Sequence, residues 1–401
     1  MAEQALANLR VLDLSHYIAG PNCTKQLAGL GAEVIKVEKP GSGDGARSLG
    51  PFFGDDPHPE KSLLFFYLND NKKSITLNLK TEKGKRILKE LVKDADVLVE
   101  NFEPRVMPSL GLSYETLREI NPRLIMTSIS NFGQTGPYRD YKAQDIVAYA
   151  LGGYLYMTGS YEREPVKHGL NQAQMLAGLN GAVGTLTALA SQRSSGVGQQ
   201  VDVSIQETVN TALFFFGMWY TWNGAIWRRQ PKGGFIYIGG LQGIMPCKDG
   251  WTAANVYRDA WDKFVAFIDI PELLEPKFAD HPSRVANLKE LYQIVGQKFM
   301  TMGKHELFHS AQEWGFPWAT VQDVKDLAEC PHLAARGFWT EQEHPVIGRL
   351  RTPTVPYDMA ETPWRSASAA PLLGQHNREV YQERLGYSQR DLVRLRETGV
   401  I

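Results

Sequence analysis

The chain has 401 residues, which is too long for one ordinary hydrophobic core, so it predicts two domains or one large α/β domain with an insertion. Its 43 Lys and Arg residues nearly balance its 44 Asp and Glu residues, and no five like charges follow one another. Nucleic acid and anionic membranes are therefore disfavoured as main partners, whereas small polar ligands stay open.

The cysteines and the first residues bear on the cellular compartment. Cys23, Cys247 and Cys330 are far apart and show no CxxC spacing, which predicts buried free thiols in a reducing compartment. The N-terminal residues 1–10 lack the basic-then-apolar layout of a signal peptide, so we expect a cytoplasmic protein. The most apolar run, 212–222, is well short of the roughly 20 residues that cross a bilayer.

The chain begins with a β-α-β pattern. Residues 10–14 and 33–37 are apolar strand patterns, and a helix over 21–31 lies between them. Backbone N–H groups at the start of such a helix suit a phosphate or a carbonyl oxygen. A dinucleotide site would need Gly-x-Gly-x-x-Gly after the first strand, and residues 15–21 do not have that pattern.

Alternating elements continue through the first half of the chain. The patterns predict three more strands, over 74–79, 96–100 and 124–129. They also predict two helices, one that begins after the capping residue Thr81 and one over 114–120. Such alternation favours a mostly parallel sheet with helices on both faces. Ligands of these sheets gather at the carboxyl ends of the strands.

A helix of small residues is predicted over 175–191. Its glycines, among them Gly178 and Gly181, would let another backbone approach closely, so we place this helix centrally. The turn at 196–200 and the strand over 201–205 favour a hairpin-style return.

The second half changes in composition. A long aromatic helix is predicted over 207–227, either as core or as a subunit contact. The glycine-rich segment 233–240 is interpreted as a linker or a mobile lid. Residues 255–325 alternate helices and loops without a metal-binding cluster, and the proline-rich segment 352–371 is extended and returns to the first domain. Two helical pieces, 377–385 and 390–398, end the chain.

Motifs along the whole chain together resemble the class III CoA-transferases, the family of formyl-CoA transferase and carnitine CoA-transferase. The motifs are Leu9–Leu14, Ala19–Pro21, Gly31–Glu38, Gly41–Asp44, Asn71–Ser74, Glu100–Phe102, Gly133–Pro137, Gly196–Val203, Asp249–Gly250 and Pro371–His376.

The resemblance implies an α/β fold with a Rossmann-like large domain built from both chain ends, a smaller middle domain and an interlocked dimer. The implied domains are 1–205 for the N-terminal part of the large domain, 206–232 for a linker helix, 233–330 for the small domain, and 331–401 for the return linker and the rest of the large domain.

The resemblance also implies a catalytic aspartate four residues before a glycine at the start of a helix. This aspartate attacks the acyl-CoA thioester and carries the acyl group as a mixed anhydride, which requires an ionised oxygen nucleophile. The residue four before Gly178 is Gln174, whose neutral amide cannot form that anhydride. We therefore expect no catalytic residue in this chain. Glu162, Glu164 and Asp145 are the nearest carboxylates in sequence, and none is at the implied position.

Racemases of the family use the same aspartate with a histidine before an Asp-Ile pair. Here Gln144 precedes Asp145, so both proton-transfer partners are missing and racemisation is disfavoured.

The chain keeps some of the implied CoA-binding positions and lacks one basic residue. Ser109 stands where relatives place a basic residue after the Glu-Asn-Phe motif, which would remove a charge-assisted hydrogen bond of roughly 1.5 to 3 kcal/mol. No metal is implied. The matching positions for CoA are Ile18, Ala19, Lys39, Leu77, Asn78, Leu79, Lys80, Asn101 and Phe102.

We interpret the chain as the non-catalytic subunit of a heteromeric CoA-transferase. Its partner would be a homologous catalytic subunit that keeps the aspartate, and the substrates would be an acyl-CoA and a small organic acid. One form of this interpretation has CoA bound mainly by the partner. Two alternatives stay open. One is a stand-alone transferase or lyase that acts through a non-covalent ternary complex, and the other is a CoA-binding regulatory or scaffold protein.

Overall fold

A computed structural model describes residues 4–160, 162–229 and 241–401 of the chain. It divides into two compact units. The first unit comprises Met1–Tyr154, His168–Phe214 and Ala334–Ile401, and the second comprises Leu155–Lys167 and Phe215–Leu333. The predicted boundary after residue 205 lies nine residues before the observed division after Phe214. The four predicted domain ranges stay predictions.

The first unit contains a six-stranded parallel sheet in the order β3-β2-β1-β4-β5-β6. This order is that of the Rossmann fold, so the predicted Rossmann-like α/β architecture is confirmed. The order changes direction between β1 and β4, where such sheets bind their ligands. The strands are β1 (Arg10–Asp13), β2 (Glu33–Glu38), β3 (Lys72–Thr76), β4 (Val97–Glu100), β5 (Ile125–Ser130) and β6 (Gln200–Ser204).

α-Helices lie between these strands along the chain, and the last two follow β6. They are α1 (Ala19–Gly29), α2 (Leu63–Leu68), α3 (Glu82–Val92), α4 (Val106–Ser109), α5 (Tyr114–Ile120), α6 (Asp145–Leu151), α7 (Tyr154–Met157), α8 (Gln172–Ser195), α9 (Ile205–Thr211) and α10 (Phe214–Asn223). Thr81 caps α3 by accepting a hydrogen bond from the N–H of Gly84, as its sequence position predicts. The buried face of α3 carries Ile87, Leu88 and Leu91, which pack in the main core cluster.

The return after α8 differs from the prediction. α8 ends at Ser195, and the following Gly196 has a φ of 74°, the left-handed value that ends helices. β6 then pairs with β5 in parallel rather than as a hairpin. The reason is that β5 and β6 are joined by a crossover that contains a 24-residue helix, and crossovers of that kind join parallel strands.

The aromatic segment also differs from the prediction. Instead of one helix over 207–227, a turn at Ala212 and Leu213 separates α9 from α10. Several of its side chains are exposed, including Met218, Tyr220 and Trp222. The glycine-rich segment 233–240 lies outside the described residues.

The second unit has its own core. Its strands β7 (Gln242–Cys247), β8 (Gly250–Asn255) and β9 (Ala319–Thr320) form an antiparallel sheet. Phe264, Phe316 and Trp318 pack their rings together in its interior. The helices are α11 (Trp261–Ile268), α12 (His281–Ala286), α13 (Leu288–Phe299), α14 (Lys304–Glu313), α15 (Val324–Ala328) and α16 (Pro331–Ala335).

The C-terminal part returns to the first unit. A hairpin of β10 (Trp339–His344) and β11 (Gly348–Pro353) precedes the extended segment, which ends before a π-helix over Glu379–Arg384 and α17 (Gln389–Glu397). The Asn71 amide donates to the carbonyl of Arg365 at 2.6 Å, and the Arg47 guanidinium donates to that of Pro371 at 3.0 Å. The predicted return of the extended segment is confirmed by these contacts.

Two findings concern the apolar helices and the cysteines. In the described part of the chain, no helix has both the length and the apolar character needed to cross a membrane. Cys23, Cys247 and Cys330 are unpaired thiols, and the first two are buried.

Candidate functional site

The loop that follows β1, Ser15–Ile18, is tied to the end of β4. The N–H of His16 donates to Oδ1 of Asn101 at 2.8 Å, and the Asn101 amide donates back to the carbonyl of His16 at 2.8 Å. The rings of His16 and Phe102 lie 5.6 Å apart. These contacts close the point where the strand order reverses, so residues 15–18 and 101–102 form one wall.

Buried charged side chains also contact the same loop. The Lys36 ammonium donates to the carbonyl of Ser15 at 2.9 Å and pairs with Asp44 at 2.7 Å. Oδ1 of Asp44 accepts from the N–H of Tyr17, whose φ is 64°. Burial opposes ionisation of Asp44, but Lys36 and His16 outweigh it and hold its pKa far below the usual range. The loop therefore keeps a left-handed residue because ionic contacts hold it on both sides.

The first turns of α1 and α8 pack without space between them. A Cβ atom at Gly178 would lie 2.5 Å from the carbonyl oxygen of Ala19, so only glycine fits there. The Asn22 amide donates to the carbonyl of Met175 at 2.8 Å. This contact explains the small residues of α8 and confirms its predicted central place.

Gln174 lies in the first turn of α8 and is half-buried. Its backbone N–H donates to Oδ1 of Asp145, the first residue of α6, at 3.2 Å. The Asp145 side chain is buried, at 5% exposure. A carboxylate thus lies beside position 174 although 29 residues separate the two in sequence.

Comparisons with known proteins agree with this geometry. The family model for CoA-transferase family III matches residues 6–377. The chain belongs to CoA-transferase family III.

Relatives in this family match almost the full length. The chain is 34% identical to the formyl-CoA:oxalate CoA-transferase of Rhodopseudomonas palustris, with 99% of this chain and 97% of that protein covered. It is also 34% identical to the succinyl-CoA–D-citramalate CoA-transferase of Chloroflexus aurantiacus, with 99% and 98% covered. A crystal structure of a CaiB/BaiF family protein from Brucella suis is similar with a TM-score of 0.86 and 29% identity, over 95% of this chain and 99% of that chain.

The structure brings some of the positions implied by the CoA-transferase resemblance together. Ile18 and Ala19 begin α1 and are buried, at 4% and 1% exposure, and Asn101 and Phe102 hold the loop before them. Since the two side chains at the helix start face inward, a ligand there would meet mainly their backbone.

The other implied positions follow β2 and β3. Lys39 is exposed directly after β2. Leu77 is buried and packs with Leu79 in the core cluster, so these two side chains serve the interior. The N–H of Asn78 donates to the carbonyl of Val400 at 2.8 Å, and Lys80 is exposed. Lys39 and Lys80 are thus the members of this group with ammonium groups at the surface.

Among the described contacts, Asp145 is the carboxylate that Gln174 meets within its own unit. Glu162 and Glu164 are exposed and belong to the second unit. Gln144 precedes α6 and its side chain makes no capping hydrogen bond. Among the described residues, no three His, Cys, Asp or Glu side chains form a group that could hold a metal ion.

Glu100 is not among the predicted site residues, although it belongs to the Glu-Asn-Phe motif. Its side chain is 3% exposed at the end of β4, and its Oε2 accepts from the N–H of Phe102 at 2.8 Å. Burial raises the pKa of Glu100 to about 7. The signal for it was the motif itself, but no sequence pattern shows that this carboxylate is buried without a cation.

Glu100→Gln is expected to raise the free energy of unfolding at pH 8 by an amount on the order of 3 kcal/mol. The folded protein keeps a proton on Glu100 up to about pH 7, whereas the unfolded chain loses it near the ordinary glutamate pKa of 4.5. Stability from this group is therefore full below about pH 4.5 and falls as pH rises to 7. Glutamine cannot ionise and still accepts from the N–H of Phe102.

Urea unfolding at pH 5 and pH 8 measures this effect. Glu103→Gln is the matched control, because Glu103 is 44% exposed and pairs with Lys142 at the surface. The control should move stability by no more than about 1 kcal/mol at either pH. Equal responses of Glu100→Gln at the two pH values would contradict the assignment.

Proposed function

We propose that this chain is the non-catalytic subunit of a heteromeric class III CoA-transferase. The enzyme would move CoA from an acyl-CoA to a carboxylic acid. A homologous partner would provide the aspartate that carries the acyl group, and this chain would contribute part of the binding surface.

Gln174 is the observation that carries the proposal. The scaffold around it is complete, since α1 and α8 meet at Gly178 and the β1 loop is pinned by Asn101 and Asp44. The amide at the implied nucleophile position cannot form a mixed anhydride. Asp145 is nearby, but its side chain is buried and its Oδ1 accepts from the first turn of α8, which supports a positioning role.

The CoA cradle of this chain would consist of the α1 start at Ile18 and Ala19, the wall at Asn101 and Phe102, and the segment after β3 at 77–80. Lys39 and Lys80 would contact phosphates, because both ammonium groups are at the surface. Ser109 is exposed and brings no charge to this region. A weaker CoA site in this chain than in a catalytic partner is the expected consequence.

For the substrates, we propose succinyl-CoA as donor and benzylsuccinate as acceptor, as in the succinyl-CoA:benzylsuccinate CoA-transferase of anaerobic toluene degradation. The relative from Chloroflexus aurantiacus carries succinyl-CoA in its name, which supports this donor. Benzylsuccinate is a dicarboxylate like succinate, with an added aromatic ring.

An apolar stripe on α8 supports a second subunit. Leu176, Leu179 and Val183 lie on one helical face and are 39%, 44% and 63% exposed. Ile146 on α6 is 54% exposed. Contiguous exposed apolar side chains mark interaction surfaces, and the covering that we propose is the homologous subunit.

Co-expression with a homologous chain that keeps the aspartate tests this function. We expect a stable heteromer that transfers CoA from succinyl-CoA to benzylsuccinate, whereas the purified chain alone transfers none. Leu179→Asp should prevent assembly, while Val393→Asp, which changes an exposed residue of α17, should not. Transfer by this chain alone would overturn the partner model and favour the stand-alone enzyme. Absence of any heteromer would favour a regulatory or scaffold protein.

A further inference from the structure

A cavity opens beside the first turn of α8, between that turn and residues of α6 and α9. Its volume is about 380 Å³, which falls in the range of about 300 to 1,000 Å³ typical of small-molecule sites. All of its lining residues belong to the first unit. Neither the CoA positions nor Gln174 line it, although Gln172 of the same helical turn as Gln174 does.

Three aromatic rings form one side of this cavity. The ring of His168 lies 5.0 Å from that of Tyr154 and 5.8 Å from that of Tyr149, and both pairs meet at steep angles of 66° and 77°. The two tyrosine rings lie 5.8 Å apart at 77°. Aromatic rings attract one another in this edge-to-face arrangement, so a further ring in the cavity would extend it.

The cavity is apolar at its floor and polar at its mouth. Tyr149 and Val209 are 2% and 1% exposed, and burial raises the pKa of the Tyr149 hydroxyl to about 12, so this group stays neutral. His168 and Gln172 are exposed. Gln172 is the first residue of a 24-residue helix, whose positive end favours an anion.

We propose that this cavity binds a small aromatic carboxylic acid. The ring would lie on the tyrosines at the apolar floor, and the carboxylate would stay at the hydrated mouth near His168 and Gln172, where its charge costs little. The inference deepens the proposed function, on which it rests for its role, because such an acid would be the CoA acceptor. Gln172 and Gln174 are two residues apart, so the bound acid would lie next to the implied transfer position.

Calorimetric titration of the purified full chain with 3-phenylpropanoate tests the site directly. We expect 3-phenylpropanoate to bind roughly three- to tenfold more tightly than 3-cyclohexylpropanoate, because only the aromatic ring makes edge-to-face contacts. Tyr154→Leu should weaken binding of the phenyl compound by a similar factor. Val393→Ala, at an exposed position of α17 outside the cavity, should leave it unchanged.

Equal affinities for the two acids, or no binding of either, would overturn the proposal. The comparison of acids uses the native chain, so it stands even if Tyr154→Leu does not fold. The measurement needs neither CoA nor a partner. If the chain prefers the aromatic acid but forms no heteromer, the proposed function is wrong and the cavity assignment stands. If an active heteromer forms but the chain does not prefer the aromatic acid, the cavity assignment is wrong and the proposed function stands.

Discussion

In a heteromer of this chain with a partner that keeps the aspartate, changing that aspartate to asparagine is expected to lower the rate of CoA transfer at least about a thousandfold. Gln174→Ala in this chain is expected to leave the rate nearly unchanged. The reason is that a covalent carrier cannot be replaced by binding contacts, whereas Gln174 would only pack or bind. The rate of CoA transfer from succinyl-CoA, followed by chromatography, measures both effects.

Trapping of the acyl group separates the two chains further. Hydroxylamine added during turnover should label the partner subunit and not this chain, because a mixed anhydride would form only on the partner's aspartate. Gly178→Val is the positive control for Gln174→Ala: it should lower the rate of CoA transfer, since any side chain at position 178 meets the carbonyl of Ala19 and disturbs the packing of α1 on α8. An active heteromer whose partner lacks the aspartate, or a label on this chain, would contradict the division of roles.

The parallel sheet could be predicted from the sequence because its strands are short apolar runs with helix patterns between them. The register and order needed the structure, and the β6 pairing shows why. The turn at Gly196 fits a hairpin as well as a helix end, and only the length of α8 decides between them. Likewise, the aromatic run of residues 207–227 has no sequence signal for the turn at Ala212 and Leu213.

The candidate site, too, could be predicted only in part from the sequence. The resemblance led to Gln174, because spacing from Gly178 is a local property of one helix. It could not show that Asp145 lies beside Gln174, since that contact joins the starts of α6 and α8. The ring cluster of Tyr149, Tyr154 and His168 was also hidden, because its members come from both sides of a segment that belongs to the second unit.

The buried charges beneath the β1 loop should govern stability. Asp13→Asn is expected to lower the free energy of unfolding by about 3 to 5 kcal/mol. Oδ2 of Asp13 accepts from the Lys72 ammonium at 3.0 Å and from the Thr24 hydroxyl at 2.6 Å, with Lys36 at 3.9 Å, and all these side chains are buried. The substitution leaves two buried ammonium groups with less negative charge beside them. Urea unfolding at pH 7 measures the loss.

Asp56→Asn is the matched control, because it breaks the exposed Lys61–Asp56 pair of 2.6 Å and should cost no more than about 1 kcal/mol. The pH dependence gives a second test. Burial opposes ionisation of Asp13, but Lys36 and Lys72 outweigh it and lower its pKa to about 2. Its contribution should therefore be full above about pH 4 and be lost as pH falls to 2. Equal losses in the two variants would mean that this network does not hold the loop.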